Sequence, residues 1–230
     1  MVEKKISRKE LLKSPDEFLT FSEKVFNYVS EHSKQFLTGV VAAVAVILFL
    51  VVLNWYRDYS AGQAAQAYNG ASGGLETKTN PDPEKAKSIA AALEAFLAEY
   101  PGSDPARLAL LDLGSLYYRL GQYDKSLEYY RRFLDSLRKE EESLRPLVLD
   151  SMAYAYESMG KLEEAVQTWE KVLALPGDLM KEEAQMGLGR VNLVLGRKDR
   201  SQAAYQTVIQ KYPDSPQASL ARVKLAEMGK

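Results

Sequence analysis

Cysteine is absent from the 230 residues, and histidine occurs once, at His32. The first absence excludes disulfides, thiolate metal sites, a cysteine nucleophile and a lipid-modified cysteine. Together they remove the soft and imidazole ligands from which zinc and transition-metal centres are built. Charge of one sign is also lacking: 30 Lys and Arg stand against 31 Asp and Glu. That excludes the basic footprint of a nucleic-acid binder and the acidic tail of a disordered chain. No Gly-rich phosphate loop occurs, and Gly187-Leu188-Gly189 reads as a packing feature inside a helix. The sequence therefore predicts no metal, no cofactor and no nucleic-acid partner. What it has is 46% hydrophobic and 10% aromatic residues, enough for a sizeable core.

Charge is missing locally as well. Residues 35–56 carry none, and 11 of the 14 residues in 40–53 are Val, Ile, Leu or Phe, the rest Ala. A helix of that length covers about 33 Å, enough for the hydrocarbon layer of a membrane. Its central apolar residues favour insertion by about 3 to 7 kcal/mol. Phe36 at one end and Trp55 with Tyr56 at the other supply interfacial aromatics. A cleaved signal peptide fits poorly, because 34 residues precede the apolar stretch and the stretch exceeds a signal core. The expectation is a signal-anchor.

Orientation follows from the flanks. Seven Lys or Arg (Lys4, Lys5, Arg8, Lys9, Lys13, Lys24, Lys34) precede the span, whereas residues 57–77 hold only Arg57. The positive-inside rule places residues 1–34 in the cytoplasm and the larger C-terminal part across the membrane, in the periplasm of a bacterial cell. Within the cytoplasmic arm, Ser14-Pro15-Asp16-Glu17 reads as a capping box. Phe18, Phe21, Val25, Phe26 and Val29 then fall at helical spacing, which predicts an amphipathic helix at the inner leaflet.

The remainder repeats itself. LLDLGSLYYRLGQYDKSLEYYRRFL (residues 110–134), LDSMAYAYESMGKLEEAVQTWEKVL (149–173) and QMGLGRVNLVLGRKDRSQAAYQTVI (185–209) come into register on Gly121, Gly160 and Gly196, at offsets of 39 and 36. In that register a small residue lies seven positions earlier (Gly114, Ala153, Gly189) and another five later (Ser126, Ala165, Ser201). An aromatic lies nine later (Tyr130, Trp169, Tyr205). Small residues let two helices approach, the aromatic fills the wedge toward the next repeat, and the glycine ends the first helix in a left-handed cap. A hairpin of this kind cannot bury its apolar face alone, so hairpins stack. The pattern resembles the tetratricopeptide repeat family, which implies an all-α fold: a single N-terminal transmembrane helix followed by an α-solenoid of helical hairpins. The third repeat departs from it, with Asn192 where Tyr117 and Tyr156 stand.

The resulting division is a cytoplasmic arm (1–34), the span (35–56), a degenerate first hairpin (57–105), three repeats (106–215) and a capping helix (216–230). The junctions Tyr100-Pro101 and Tyr212-Pro213, each followed by Ser and Pro, stop one helix and start the next. The clusters Glu140-Glu141-Glu142, Glu163-Glu164 and Glu182-Glu183 fall in a linker and at helix starts, where they read as solvated surface rather than acid–base machinery. The chain is not expected to be an enzyme.

Function then rests on surface. In tetratricopeptide repeats the first helix of each hairpin lines the concave side, which on this chain offers Ser115, Tyr118 and Arg119, then Asp150, Tyr154 and Glu157, then Met186, Arg190 and Leu193. Tyr and Arg concentrate binding energy, so Tyr118, Arg119, Tyr154 and Arg190 are the candidate partner contacts. The whole layout, a short arm, one span ending in Trp-Tyr and an array with Tyr-Pro junctions, resembles the YfgM-like ancillary subunits of the SecYEG translocon. That resemblance implies an inner-membrane protein whose periplasmic repeats contact translocon subunits, chaperones or unfolded clients and pass translocated chains onward. Two other readings stay open: an assembly factor for an envelope complex, in cytochrome maturation or the cell-wall or division machinery, and a homo-oligomer joined through the span at Gly39-x-x-x-Ala43.

Overall fold

A computed structural model describes residues 17–73, 75 and 82–229. All regular structure there is helical, and it divides into two compact units, residues 1–60 and 61–230. The capping box at residues 14–17 lies, but for Glu17, outside the described residues, as do the five basic residues before Lys24.

The first unit holds α1 (Glu17–Glu31) and most of α2 (Ser33–Ser72). Between Leu37 and Tyr56 the apolar side chains of α2 have no protein against them: Val41, Leu48 and Val52 are 59%, 59% and 61% exposed. The most apolar window of this helix has a mean hydropathy of 2.7 and none of it is buried. A water-facing helix of that composition would be strongly disfavoured, and it is long and apolar enough to cross a membrane.

The second unit begins in the last turns of α2 and continues through α3 (Pro83–Glu99), α4 (Asp104–Arg119), α5 (Tyr123–Ser136), α6 (Arg145–Ser158), α7 (Leu162–Ala174), α8 (Lys181–Val194), α9 (Lys198–Lys211) and α10 (Pro216–Met228). Proline stands in the first turn of α3, α4, α6 and α10, where its missing N–H costs nothing. Asp82 accepts the Lys85 N–H to cap α3, and Ser215 accepts the Ala218 N–H to cap α10. Gly121, Gly160 and Gly196 end α4, α6 and α8 at φ 70°, 72° and 75°, the left-handed conformation expected of them.

Successive helices pack as antiparallel pairs, α4 with α5, α6 with α7 and α8 with α9, and α10 closes on α9. The core runs through the pairs: Leu93, Leu113, Leu116 and Leu127 lie in its first part, Trp169, Val172 and Val191 in its middle, and Tyr205 and Val208 at its end. Trp169 is completely buried, on the order of 200 Å² of ring surface and about 5 kcal/mol of transfer energy.

The small-residue register has a steric reason. A Cβ on Gly114 would stand 2.4 Å from the Tyr130 ring, and one on Gly189 would stand 2.5 Å from Tyr205. The Ser126 hydroxyl donates to the Gly114 carbonyl and the Ser201 hydroxyl to the Gly189 carbonyl, both at 2.7 Å. Two of the three aromatics thus press on the glycine of their own hairpin, and both also face the helix that follows: Tyr130 lies by Ser151 and Tyr154, and Tyr205 packs with Ala218 and Ala221. In the middle repeat Ala153 occupies the glycine position, and Trp169 instead presses on Gly187 of α8, where a Cβ would lie 2.5 Å from its ring.

Polar pairs join consecutive repeats at sequence intervals of 34 or 33 residues. Arg138 with Asp104, Arg107 with Glu141, and Arg197 with Glu163 are each 34 residues apart, and Arg190 with Glu157 and Ser215 with Glu182 are 33 apart. Glu141 and Glu163, expected to be merely solvated, are therefore inter-repeat ties, and Glu142 pairs with Arg145 within one turn. Arg107 and Arg197 hold these carboxyl groups below their ordinary range.

Candidate protein-interaction groove

Three helices meet at a groove of about 400 Å³ lined by Ser115, Tyr118, Arg119, Tyr130, Ser151 and Tyr154. Ser115, Tyr118 and Arg119 share one face of α4 because they sit at i, i+3 and i+4. Ser151 and Tyr154 are likewise three apart on α6, and Tyr130 reaches in from α5. The groove is built from hydroxyls around ring faces. Ser115 Oγ and the Tyr130 hydroxyl are 3.2 Å apart, and the Tyr118 hydroxyl lies 3.3 Å from Ser158 Oγ. Tyr118 is half-buried against Tyr123, with ring centroids 5.4 Å apart.

Arg119 is exposed at the end of α4 and has no side-chain hydrogen bond or ion pair among the described residues. No carboxylate lines the groove, so its charge is that of one available guanidinium.

Arg190 is placed differently. Its guanidinium donates to both carboxylate oxygens of Glu157, at 2.6 and 2.7 Å. It also lies over the Tyr154 and Trp169 rings, 5.4 and 5.8 Å from their centroids. Tyr154 meets Trp169 edge-on, at 89° and 5.4 Å, and Trp169 Nε1 donates to Asp150 at 2.8 Å. Burial pushes the Tyr154 hydroxyl up, and burial likewise raises Asp150 from 3.8 to about 6, against the Trp169 hydrogen bond. The pairing with Glu157 pushes the Arg190 guanidinium still further up.

Of the four candidate contacts, the structure brings Tyr118, Arg119 and Tyr154 together in one groove, and it ties Arg190 to the base of Tyr154. Asp150 and Met186, expected on the groove face, are instead buried at 4% and 6% exposure, which corrects that expectation. Asp150 accepts from Trp169 of its own hairpin and Met186 packs with Tyr205 and Val208, and helical spacing alone does not separate such an inward position from a groove-facing one. Tyr130 and Ser151 were not singled out as groove residues. Ser151 stands three before Tyr154, and that spacing was the available signal.

Residues 105–176 match one tetratricopeptide repeat family model and residues 151–216 match another. Among solved structures, a tetratricopeptide repeat protein from Parabacteroides merdae superposes with a TM-score of 0.57 at 19% identity, covering 71% of this chain and 60% of that one. The MamA protein superposes with a TM-score of 0.53 at 18% identity, covering 72% and 84%. These likenesses show the fold. A curated human relative, Intraflagellar transport protein 88 homolog, is 19% identical over 104 residues. That match takes in 45% of this chain, which spans only 12% of the relative's length. The array is suited to protein–protein interaction.

Proposed function

We propose that the tetratricopeptide repeats of residues 105–216 form a membrane-anchored scaffold that binds protein partners through the groove between α4, α5 and α6. The observation that carries this reading is the convergence of Tyr118, Arg119 and Tyr154 on one open groove with an unpaired guanidinium. Tyrosine faces supply contact area at little entropic cost, and the hydroxyls of Ser115, Tyr130 and Ser151 accept or donate to a peptide backbone without demanding one sequence. An extended segment or a partner helix fits such a surface better than a polyanion does. The role is one of binding, without catalysis or cofactor.

The apolar helix α2 anchors the scaffold, and the excess of basic residues before it supports a cytoplasmic N-terminus and periplasmic repeats. The finer reading is that the repeats bind chaperones and help hand newly translocated client chains onward beside the protein translocon of the inner membrane.

A photo-crosslinking residue placed at Tyr118 and at Tyr154 of the full chain in living cells tests this. Capture of translocon subunits, a periplasmic chaperone or unfolded secreted chains is the expected result. Capture of a single folded envelope complex would replace handover with an assembly role. Capture of cytoplasmic proteins alone would invert the topology.

A further inference from the structure

A second cleft, of about 360 Å³, opens where the third repeat departs from the other two. It lies between α7 and α9 over α8, and Glu170, Gln185, Asn192, Arg200, Ala204 and Thr207 line it.

The equivalent place in the first repeat is filled. There Tyr117 of α4 stacks on Tyr129 of α5, with centroids 5.5 Å apart and rings 3° from parallel. The hydroxyls of both donate to the same oxygen of Glu94, at 2.6 and 2.8 Å. Lys125 Nζ lies 4.6 Å from the centre of the Tyr117 ring. In the second repeat Tyr156 takes the same place and accepts from Arg131 of the preceding hairpin at 2.9 Å.

Register on the turn glycines carries each group forward. Four residues before the glycine, Tyr117 and Tyr156 become Asn192; eight after it, Tyr129 becomes Ala204; four after it, Lys125 becomes Arg200. Glu94 is six residues before Tyr100-Pro101, the place Gln206 holds before Tyr212-Pro213, and Glu170 is the residue of the middle hairpin at that position. The third repeat thus keeps the acidic acceptor and the cation of the tyrosine socket while both rings are gone. Neither Glu170 nor Arg200 makes a side-chain hydrogen bond or close ion pair among the described residues. Asn192, 4% exposed, donates to the Leu188 carbonyl at 2.9 Å, and its own carbonyl oxygen is buried with no hydrogen-bond partner. A buried acceptor left unpaired is costly, and shortening the side chain here has left a hole beside it.

We propose that this cleft is a socket for a tyrosine side chain supplied by a partner protein. The ring sits over Ala204 where Tyr129 and Tyr117 would stack, its hydroxyl donates to Glu170 as Tyr117 does to Glu94, and the Arg200 guanidinium covers the ring as Lys125 covers Tyr117. The socket is separate from the groove of Tyr118 and gives the scaffold a second point of attachment.

Saturation-transfer NMR on the full chain in detergent micelles, with N-acetyl-tyrosinamide and N-acetyl-phenylalaninamide as probes, tests this. The expected result is a stronger signal for the tyrosine probe than for the phenylalanine probe. Glu170→Gln weakens that preference, and Asn192→Tyr, which refills the socket from within, abolishes the signal. Ala204→Met closes the same space from α9 and serves if Asn192→Tyr does not fold. Equal signals for the two probes, or a tyrosine signal that persists in a folded variant with the cleft filled, would overturn the proposal.

Discussion

Tyr130 occupies the space that a side chain on Gly114 would need: its Cε1 lies 2.4 Å from where the Cβ would stand. The ring is 3% exposed and its hydroxyl is 3.2 Å from Ser115 Oγ, so moving off Gly114 would give up its packing and push it into the groove. Alanine normally improves a helix interior over glycine by about 1 kcal/mol. Here overlap wins, and Gly114→Ala is expected to destabilise the repeats by about 1–3 kcal/mol. A thermal melt followed by circular dichroism reads this as a drop of about 2–4 °C per kcal/mol. An unchanged or raised midpoint would mean that the ring is not held as described.

Gly160 poses the opposite problem. Nothing lies within 4 Å of its missing Cβ, yet its φ is +72°. Gly160→Ala therefore carries only backbone strain, about 1 kcal/mol, and Gly160→Asn less, since asparagine tolerates the left-handed region. If the two variants melt together, conformation is not what fixes glycine at that turn.

These two glycines show what was legible in the sequence. Both stand at fixed places in the repeat, so periodicity located them, and the all-helical architecture followed. The face of each helix was harder to read. Tyr154 and Asp150 lie one turn apart on α6, but the first lines the groove and the second accepts from Trp169 in the interior. Nor did local context reveal that Glu163 meets Arg197, because the pairing depends on how one hairpin rests on the next. Asn192 was visible as a departure. Its consequence, an open cleft with an unpaired carbonyl, needed the neighbouring helices in place.

Arg190 and Glu157 tie the second and third repeats through two parallel hydrogen bonds, with the side chains 43% and 21% exposed. Partial exposure screens the attraction, so a double-mutant cycle over Arg190→Met and Glu157→Gln is expected to return a coupling of about 1 kcal/mol. High salt reduces it. A coupling of zero at low salt would show that Arg190 is held by the Tyr154 and Trp169 rings rather than by the carboxylate.

Asp150 gives the repeats a pH dependence whose sign can be worked out. Burial raises its carboxyl from 3.8 to about 6, Glu183 adds to this, and the Trp169 hydrogen bond and Arg190 oppose it. The folded chain therefore keeps the proton to a higher pH than the unfolded chain does. Stability from the neutral carboxyl is full below about pH 4 and is lost as pH rises through about 6, leaving a buried charge as a standing cost at neutral pH. Asp150→Asn removes the charge and retains an oxygen to accept from Trp169 Nε1. The variant is expected to be more stable than the parent near pH 8, by up to about 3 kcal/mol, with the difference closing near pH 4. Urea midpoints at both values measure it. A gap that is the same at the two pH values would mean that the substitution acts through packing against Trp169 and not through the proton.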